Sequence, residues 1–189
     1  MGFSFMKRSD YTTLMFEKII YSTIFSGLIL LCFGSIYYHF DPNNFTMVWD
    51  RLPMTMIFSS LFSIIVWDFV DRKSGQMTFI VLLPAGILSV LYWWYSEMNG
   101  MGDLRPYIFM QFFPMICLPF ILIFSFSKKN VSMLGMVLVF YVLAKIFELY
   151  DLKVLEILGY SGHSLKHIFA AIATYFIYAY MKERVKIQI

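Results

Sequence analysis

Two of the chain's three histidines, His163 and His167, lie four residues apart at the start of an apolar segment near the C-terminus. In an α-helix this spacing places both imidazole rings on one face, about one turn apart, as two ligands of one metal ion require. The stretch 161–167 therefore predicts part of a metal site. Because a lone HxxxH pair is a weak motif, ordinary hydrogen-bonded histidines at a helix end are the alternative.

The third histidine, His39, ends the first long apolar segment, and Ser35 precedes it by four residues. The serine and the imidazole therefore share a helix face, and Asp50 follows just before the next apolar segment. Three neutral histidines and a water form a common catalytic zinc arrangement, in which the pKa of the water falls to about 7. In such a site Asp50 transfers the proton, and Ser35 orients the water or holds the developing oxyanion. The predicted Zn²⁺ ligands are His39, His163 and His167.

The elements that must position these residues are membrane helices. Hydrophobic residues make up 60% of the 189 residues and charged residues only 14%, which is more apolar surface than a soluble domain of this size needs. Six apolar segments are long enough to cross a hydrocarbon core of about 30 Å. The sequence predicts an all-α, polytopic membrane helix bundle that forms one domain over residues 1–189. The six predicted transmembrane helices cover residues 19–40, 52–70, 77–95, 106–126, 131–150 and 163–181.

The basic residues are sorted by membrane side. An even number of spans puts both termini on one side, together with ten lysines and arginines, and leaves four on the other side. The positive-inside rule therefore predicts cytoplasmic termini, with the histidines towards the outer face. This sorting accounts for the net charge of +3 without a nucleic-acid partner. The ten are Lys7, Arg8, Lys18, Arg72, Lys73, Lys128, Lys129, Lys182, Arg184 and Lys186, and the four are Arg51, Arg105, Lys153 and Lys166.

Further polar residues are predicted at or near the outer ends of the helices. Lys145 and Glu148 are three residues apart on one helix, which favours a buried ion pair over a proton relay. Arg105 has three candidate partners, namely Asp103, Glu97 and a lipid head group, and the sequence does not choose among them.

Aromatic residues and cysteines add two smaller predictions. The aromatic run 92–95 predicts a belt at the outer membrane interface, with stacking against a substrate as the alternative. Cys32 and Cys117 both lie in apolar runs, which favours buried free thiols over a disulfide.

Four short stretches together carry a family resemblance: residues 34–39 (GSIYYH), 49–54 (WDRLPM), 102–107 (GDLRPY) and 161–167 (SGHSLKH). They resemble the bacterial branch of the alkaline ceramidase family, in the CREST superfamily that includes the progestin and adipoQ receptors. The family pattern is a serine four residues before a histidine, an aspartate on the next helix and a closing HxxxH on the last helix. Those positions are occupied here by Ser35, His39, Asp50, His163 and His167.

The resemblance implies a zinc-dependent hydrolase that cleaves the amide between a fatty acid and a sphingoid base, in a bacterial inner membrane. It implies the three histidines as zinc ligands, and Ser35 and Asp50 as assisting groups. The implied substrate is ceramide or a related N-acyl lipid. The rival interpretation is a receptor-like or structural membrane protein in which zinc only joins two helices.

The family fold has seven helices, and the first has no counterpart among the six predicted spans. The flank left uncovered would open sideways to membrane lipids or be covered by a partner, such as a second copy of the chain in a homo-oligomer.

Overall fold

The computed structural model describes the backbone of residues 8–124 and 131–188, and the side chains of residues 15–124 and 131–184. Within these ranges the chain forms seven α-helices and no strand, which confirms the all-α prediction. Phe126, at the end of the fourth predicted span, lies outside the described residues, as do Lys7, Lys128 and Lys129 of the charge argument. The helices are α1 Arg8–Phe40, α2 Asn44–Phe69, α3 Arg72–Met98, α4 Arg105–Phe124, α5 Val131–Leu149, α6 Asp151–Leu158 and α7 Gly162–Gln188.

Five of these helices are long and apolar enough to cross a membrane by length and composition, within the described residues. The five spans are Met15–Phe40, Asn44–Phe69, Arg72–Met98, Arg105–Phe124 and Val131–Leu149. The sixth predicted span corresponds to α7, which has 27 residues but is not among the five. The histidines and Lys166 in its first turns make that part of the helix polar. The six-span count and the orientation that depends on it therefore stay predictions.

The chain divides into two compact units, Met1–Ile116 (unit 1) and Cys117–Ile189 (unit 2), and the boundary falls inside α4. In unit 1, α2 packs against both α1 and α3 and is the most buried of the five spans. Small residues make this packing close: a Cβ at Gly86 would lie 2.9 Å from Thr55 Cβ and 3.3 Å from Ser59 Oγ. Helices in lipid associate through such close backbone contacts, because lipid provides no hydrophobic drive between them.

A capping box starts α2 earlier than the apolar pattern predicts. Asn43 Oδ1 accepts hydrogen bonds from the backbone N–H groups of Phe45 and Thr46, and Thr46 Oγ1 accepts one from the Asn43 N–H. The predicted start at residue 52 is therefore wrong by eight residues, since α2 begins at Asn44. Asp50 consequently lies within the helix and not in the loop before it. The Asn-x-x-Thr spacing was the sequence signal for this cap.

Unit 2 contains α5, α6 and α7, with α5 and α7 packed along their length. Stacked aromatic rings join them: the rings of Phe147 and Phe169 are 4.9 Å apart and nearly parallel, and Phe140 stacks on both Phe169 and Phe176. The short helix α6 lies between the fifth and sixth predicted spans. It ends at Gly159, whose φ of 72° suits glycine. None of its residues is buried, so its leucines and isoleucine are exposed.

Two side-chain predictions are corrected. Cys32 and Cys117 are free thiols, but neither is buried as predicted, since Cys117 is half-buried and Cys32 is exposed. Cys32 lies on the unpacked face of α1 beside Phe33 and Ile36. Trp93 does not belong to an exposed belt, since only 4% of its surface is accessible and the Arg51 guanidinium lies over its ring. The neighbouring Tyr92 and Tyr95 are exposed.

Candidate metal centre

The histidine pair lies in the first two turns of α7. The Nε2 atoms of His163 and His167 are 3.1 Å apart, and the two ring centres are 4.9 Å apart with the planes inclined at 71°. His163 is half-buried and His167 is exposed. The four-residue spacing thus brings one nitrogen of each ring to the same point beside the helix.

Two kinds of chemistry fit this nitrogen separation. Two nitrogens bound at 2.0–2.1 Å to one tetrahedral zinc ion lie about 3.3 Å apart, and both rings bind as neutral imidazoles. An N–H···N hydrogen bond between the rings has a similar length, about 3.0 Å. The two imidazole nitrogens and their separation therefore fit zinc. A zinc site and a ring-to-ring hydrogen bond differ here only in whether a proton lies between the two nitrogens.

A network of hydrogen bonds among half-buried residues fixes the start of α7. Asp151 Oδ1 accepts hydrogen bonds from Ser161 Oγ and from the backbone N–H of His163, each at 2.9 Å, and Ser161 Oγ also accepts from the His163 N–H at 3.1 Å. The hydrogen bond from the His163 N–H, followed by that from Ser161, lowers the pKa of the Asp151 carboxyl below its ordinary value. Asp151 is thus an anionic cap that holds the backbone of His163. Its role was missed, because the cap comes from a different helix twelve residues earlier.

An ion-pair network holds α7 against α5. Glu148 accepts from Lys145 Nζ through one carboxylate oxygen and from Lys166 Nζ through the other, each at 2.6 Å. The predicted Lys145–Glu148 pair is present, although it is half-buried and not buried as predicted. Lys166, which the charge count assigns to the outer side of the membrane, is an additional partner. Because Lys166 directly precedes His167, this network also holds the helical turn that carries the His167 ring.

Gly162 permits the close approach of α7 to its neighbours. A Cβ there would collide with the carbonyl oxygen of Phe147 and lie 2.8 Å from Asp151 Cα, and all of these are backbone atoms that cannot rotate away. By contrast, no neighbouring atom lies within 4 Å of a Cβ at Gly135 in α5.

Replacing Gly162 with alanine is expected to destabilise the purified protein by about 1–3 kcal/mol, the usual cost of overpacking. Replacing Gly135 with alanine is the matched control, and it is expected to be neutral or to stabilise by up to about 1 kcal/mol, since alanine is the better helix former. Thermal unfolding in detergent measures both variants. Equal melting temperatures for the two variants would contradict the close approach at Gly162.

In unit 1, Ser35 and His39 lie on α1 and Asp50 lies on α2. Ser35 and Asp50 are half-buried, and His39 is exposed in the last turn, with its ring centre 5.5 Å from that of Tyr38. Gly34 brings the two helices together, because a Cβ there would collide with the Trp49 carbonyl and lie 3.2 Å from Asp50 N. Ser35 and Asp50, the residues predicted to assist catalysis, are therefore the next residues in the chain after Gly34 and Trp49, where α1 and α2 meet.

The predicted site residues are divided between the units. Ser35, His39 and Asp50 belong to unit 1, and His163 and His167 belong to unit 2. The structure brings the last two together within α7. Assembly of all five around one ion is therefore a proposal.

The connection between α3 and α4 resolves the partner of Arg105. Its Nε and Nη2 donate to the two oxygens of Asp103 at 2.8 and 2.9 Å, and this arginine holds the pKa of Asp103 well below its ordinary value. Glu97 instead accepts from Asn44 Nδ2 at 2.8 Å. Of the three candidates for Arg105, Asp103 is the partner.

No family model, curated protein or solved structure matches this chain. The resemblance to the alkaline ceramidases therefore remains a prediction from the four motif stretches.

Proposed function

We propose that this chain is a zinc-dependent membrane hydrolase that cleaves the amide bond of ceramide or a related N-acyl lipid. The observation that carries the proposal is the separation of 3.1 Å between the Nε2 atoms of His163 and His167, which suits two ligands of one zinc ion. The third ligand in this proposal is His39. The sequence supports His39 in this role, because α1 and α7 share a pattern: Ser35 precedes His39 by four positions, as His163 precedes His167.

Three histidine ligands suit a catalytic zinc site, because a catalytic site keeps the fourth coordination position open, whereas a structural site fills it with a protein ligand. When bound, zinc supplies a Lewis acid and lowers the pKa of a coordinated water to about 7. The chain's own groups then have separate tasks. Asp50 accepts a proton and delivers it to the leaving amine, and Ser35 donates a hydrogen bond to the developing oxyanion.

A groove in unit 1 supports a lipid substrate. It has a volume of about 430 Å³ and lies where α1, α2 and α3 meet, next to Gly34 and hence one residue from Ser35. Its lining is almost entirely apolar, as an acyl chain requires. Lining residues from the three helices include Leu30, Phe33, Leu52, Met56 and Ile87.

The proposed location is a bacterial inner membrane, with both termini cytoplasmic and the site towards the outer face. The apolar spans support a membrane location, and the distribution of lysine and arginine supports the orientation. A homo-oligomer that covers the exposed face of α1 belongs to the same proposal.

The test is metal analysis of the purified chain in detergent, followed by an assay of fatty-acid release from a panel of N-acyl lipids. We expect about one zinc per chain, loss of hydrolysis after chelation and recovery when zinc is returned. Spheroplasts that carry the protein are expected to cleave a substrate supplied from outside. Wild-type protein without stoichiometric zinc would overturn the proposal, and a zinc protein that cleaves nothing on the panel would support the structural alternative.

A further inference from the structure

The Arg51 guanidinium lies against two buried aromatic rings. Its central carbon is 4.1 Å from the centre of the Trp93 ring and 5.2 Å from the centre of the Tyr107 ring. Both rings belong to a buried cluster with Val48 and Val90. The positive charge of Arg51 therefore faces apolar and aromatic surface, where cation–π attraction holds it.

This guanidinium has an unused hydrogen-bond donor. Its Nη1 is buried and has no acceptor, and no carboxylate of the described residues lies within ion-pair distance. Two acidic residues of unit 1 are engaged elsewhere, since Glu97 accepts from Asn44 and Asp103 pairs with Arg105. A ring face attracts the charge, but it does not replace an acceptor in the guanidinium plane.

The backbone of Arg51 lies just inside the hydrocarbon core, close enough to the lipid head groups for its long side chain to reach them. Arg51 lies seven positions after Asn44, the first residue of the 26-residue helix α2. At 1.5 Å per residue this is about 10 Å from one end of a helix about 39 Å long. A hydrocarbon core of about 30 Å then begins about 5 Å from that end. A charged side chain at this level is costly, and such residues generally serve an interaction.

The geometry points to an oxyanion-binding site at Arg51, which takes the carboxylate or phosphate group of a lipid. Trp93 and Tyr107 hold the guanidinium in place, and the ligand supplies the oxygen acceptor that the buried Nη1 lacks. This site requires neither zinc nor hydrolysis, so it stands or falls separately from the proposed function.

The test is a titration of the purified full chain in a neutral detergent, followed by tryptophan fluorescence, because the ligand binds beside Trp93. The lipid probes are oleate and dioleoyl phosphatidic acid, and inorganic phosphate tests for a free anion. Oleyl alcohol and dioleoylglycerol are neutral controls with the same acyl chains. The variants are Arg51→Gln and Arg51→Lys, with Arg105→Gln as the matched control, since the Arg105 side chain is 88% exposed.

We expect saturable binding of at least one anionic probe, and no comparable response to the neutral controls. Arg51→Gln is expected to weaken this binding by about 10- to 100-fold, as loss of a charge-assisted hydrogen bond predicts. Arg51→Lys keeps the charge without the fork and is expected to bind with intermediate affinity, whereas Arg105→Gln should bind as the wild type does. A response to the lipids alone identifies a lipid head group, and a response to inorganic phosphate identifies a free anion. Unchanged affinity in Arg51→Gln, or an equal response to the neutral lipids, would overturn the inference.

Discussion

Replacing His163 with alanine is expected to lower the zinc content of the purified chain from about one ion to a small fraction of one. The variant removes one of two nitrogens that lie 3.1 Å apart, and a single helix ligand with His39 cannot complete a tight three-ligand site. Metal analysis after gel filtration measures the loss. The same result is expected for His167→Ala, because the two rings contribute equivalent nitrogens.

Ser164→Ala is the matched control for this experiment. Ser164 is the exposed residue next to His163 on α7, so its replacement leaves both rings and the Asp151 cap in place. Helix content and elution volume show whether each variant is folded. Stoichiometric zinc in a folded His163→Ala protein would exclude this pair as the metal site, and the hydrogen-bonded alternative would then explain the nitrogen separation.

His39→Ala separates a three-histidine site from a site made by α7 alone. Because His39 belongs to unit 1, its replacement leaves the His163–His167 pair intact. Within the same metal analysis, the proposal predicts that zinc is lost in this variant as well. Retention of one zinc per chain would remove His39 from the ligand set.

Replacing Asp50 with asparagine is expected to lower the turnover number for amide hydrolysis by at least about 100-fold, while zinc content stays at one ion per chain. Asparagine is nearly isosteric with aspartate but cannot accept the proton, and general acid–base groups typically contribute about 10²- to 10⁴-fold. Asp50 is half-buried on α2, and its backbone N lies at the contact with Gly34. The measurements are the rate of fatty-acid release and the zinc content of the same preparation.

Glu156→Gln is the matched control for Asp50→Asn. Glu156 is an exposed carboxylate on α6, and its neutralisation is expected to leave turnover unchanged. Full activity in Asp50→Asn would show that another group transfers the proton. Loss of both activity and zinc would instead give Asp50 a role in the metal site itself.

Local sequence signals were sufficient for several features of the fold. Apolar runs of about 20 residues predicted the five helices that are long and apolar enough to span a membrane, because a bilayer demands that length of helix. The four-residue spacing of His163 and His167 predicted adjacent rings, because the helical repeat alone sets which residues share a face. The early start of α2 was also readable, from the Asn43 and Thr46 capping pair.

The sequence by itself therefore determined the features that depend only on residues close together along the chain. These are the helices, their apolar character, and the placement of Ser35 with His39, and of His163 with His167, on one helix face. The tertiary structure alone decided the contacts between helices. It placed Asp151 under the His163 backbone, joined Glu148 to Lys166, buried Trp93 beneath Arg51 and left Cys32 exposed. The physical reason is that each of these contacts depends on how closely two helices pack and on how each is rotated about its axis. Glycines and buried small side chains set that packing, and neither periodicity nor hydropathy specifies it.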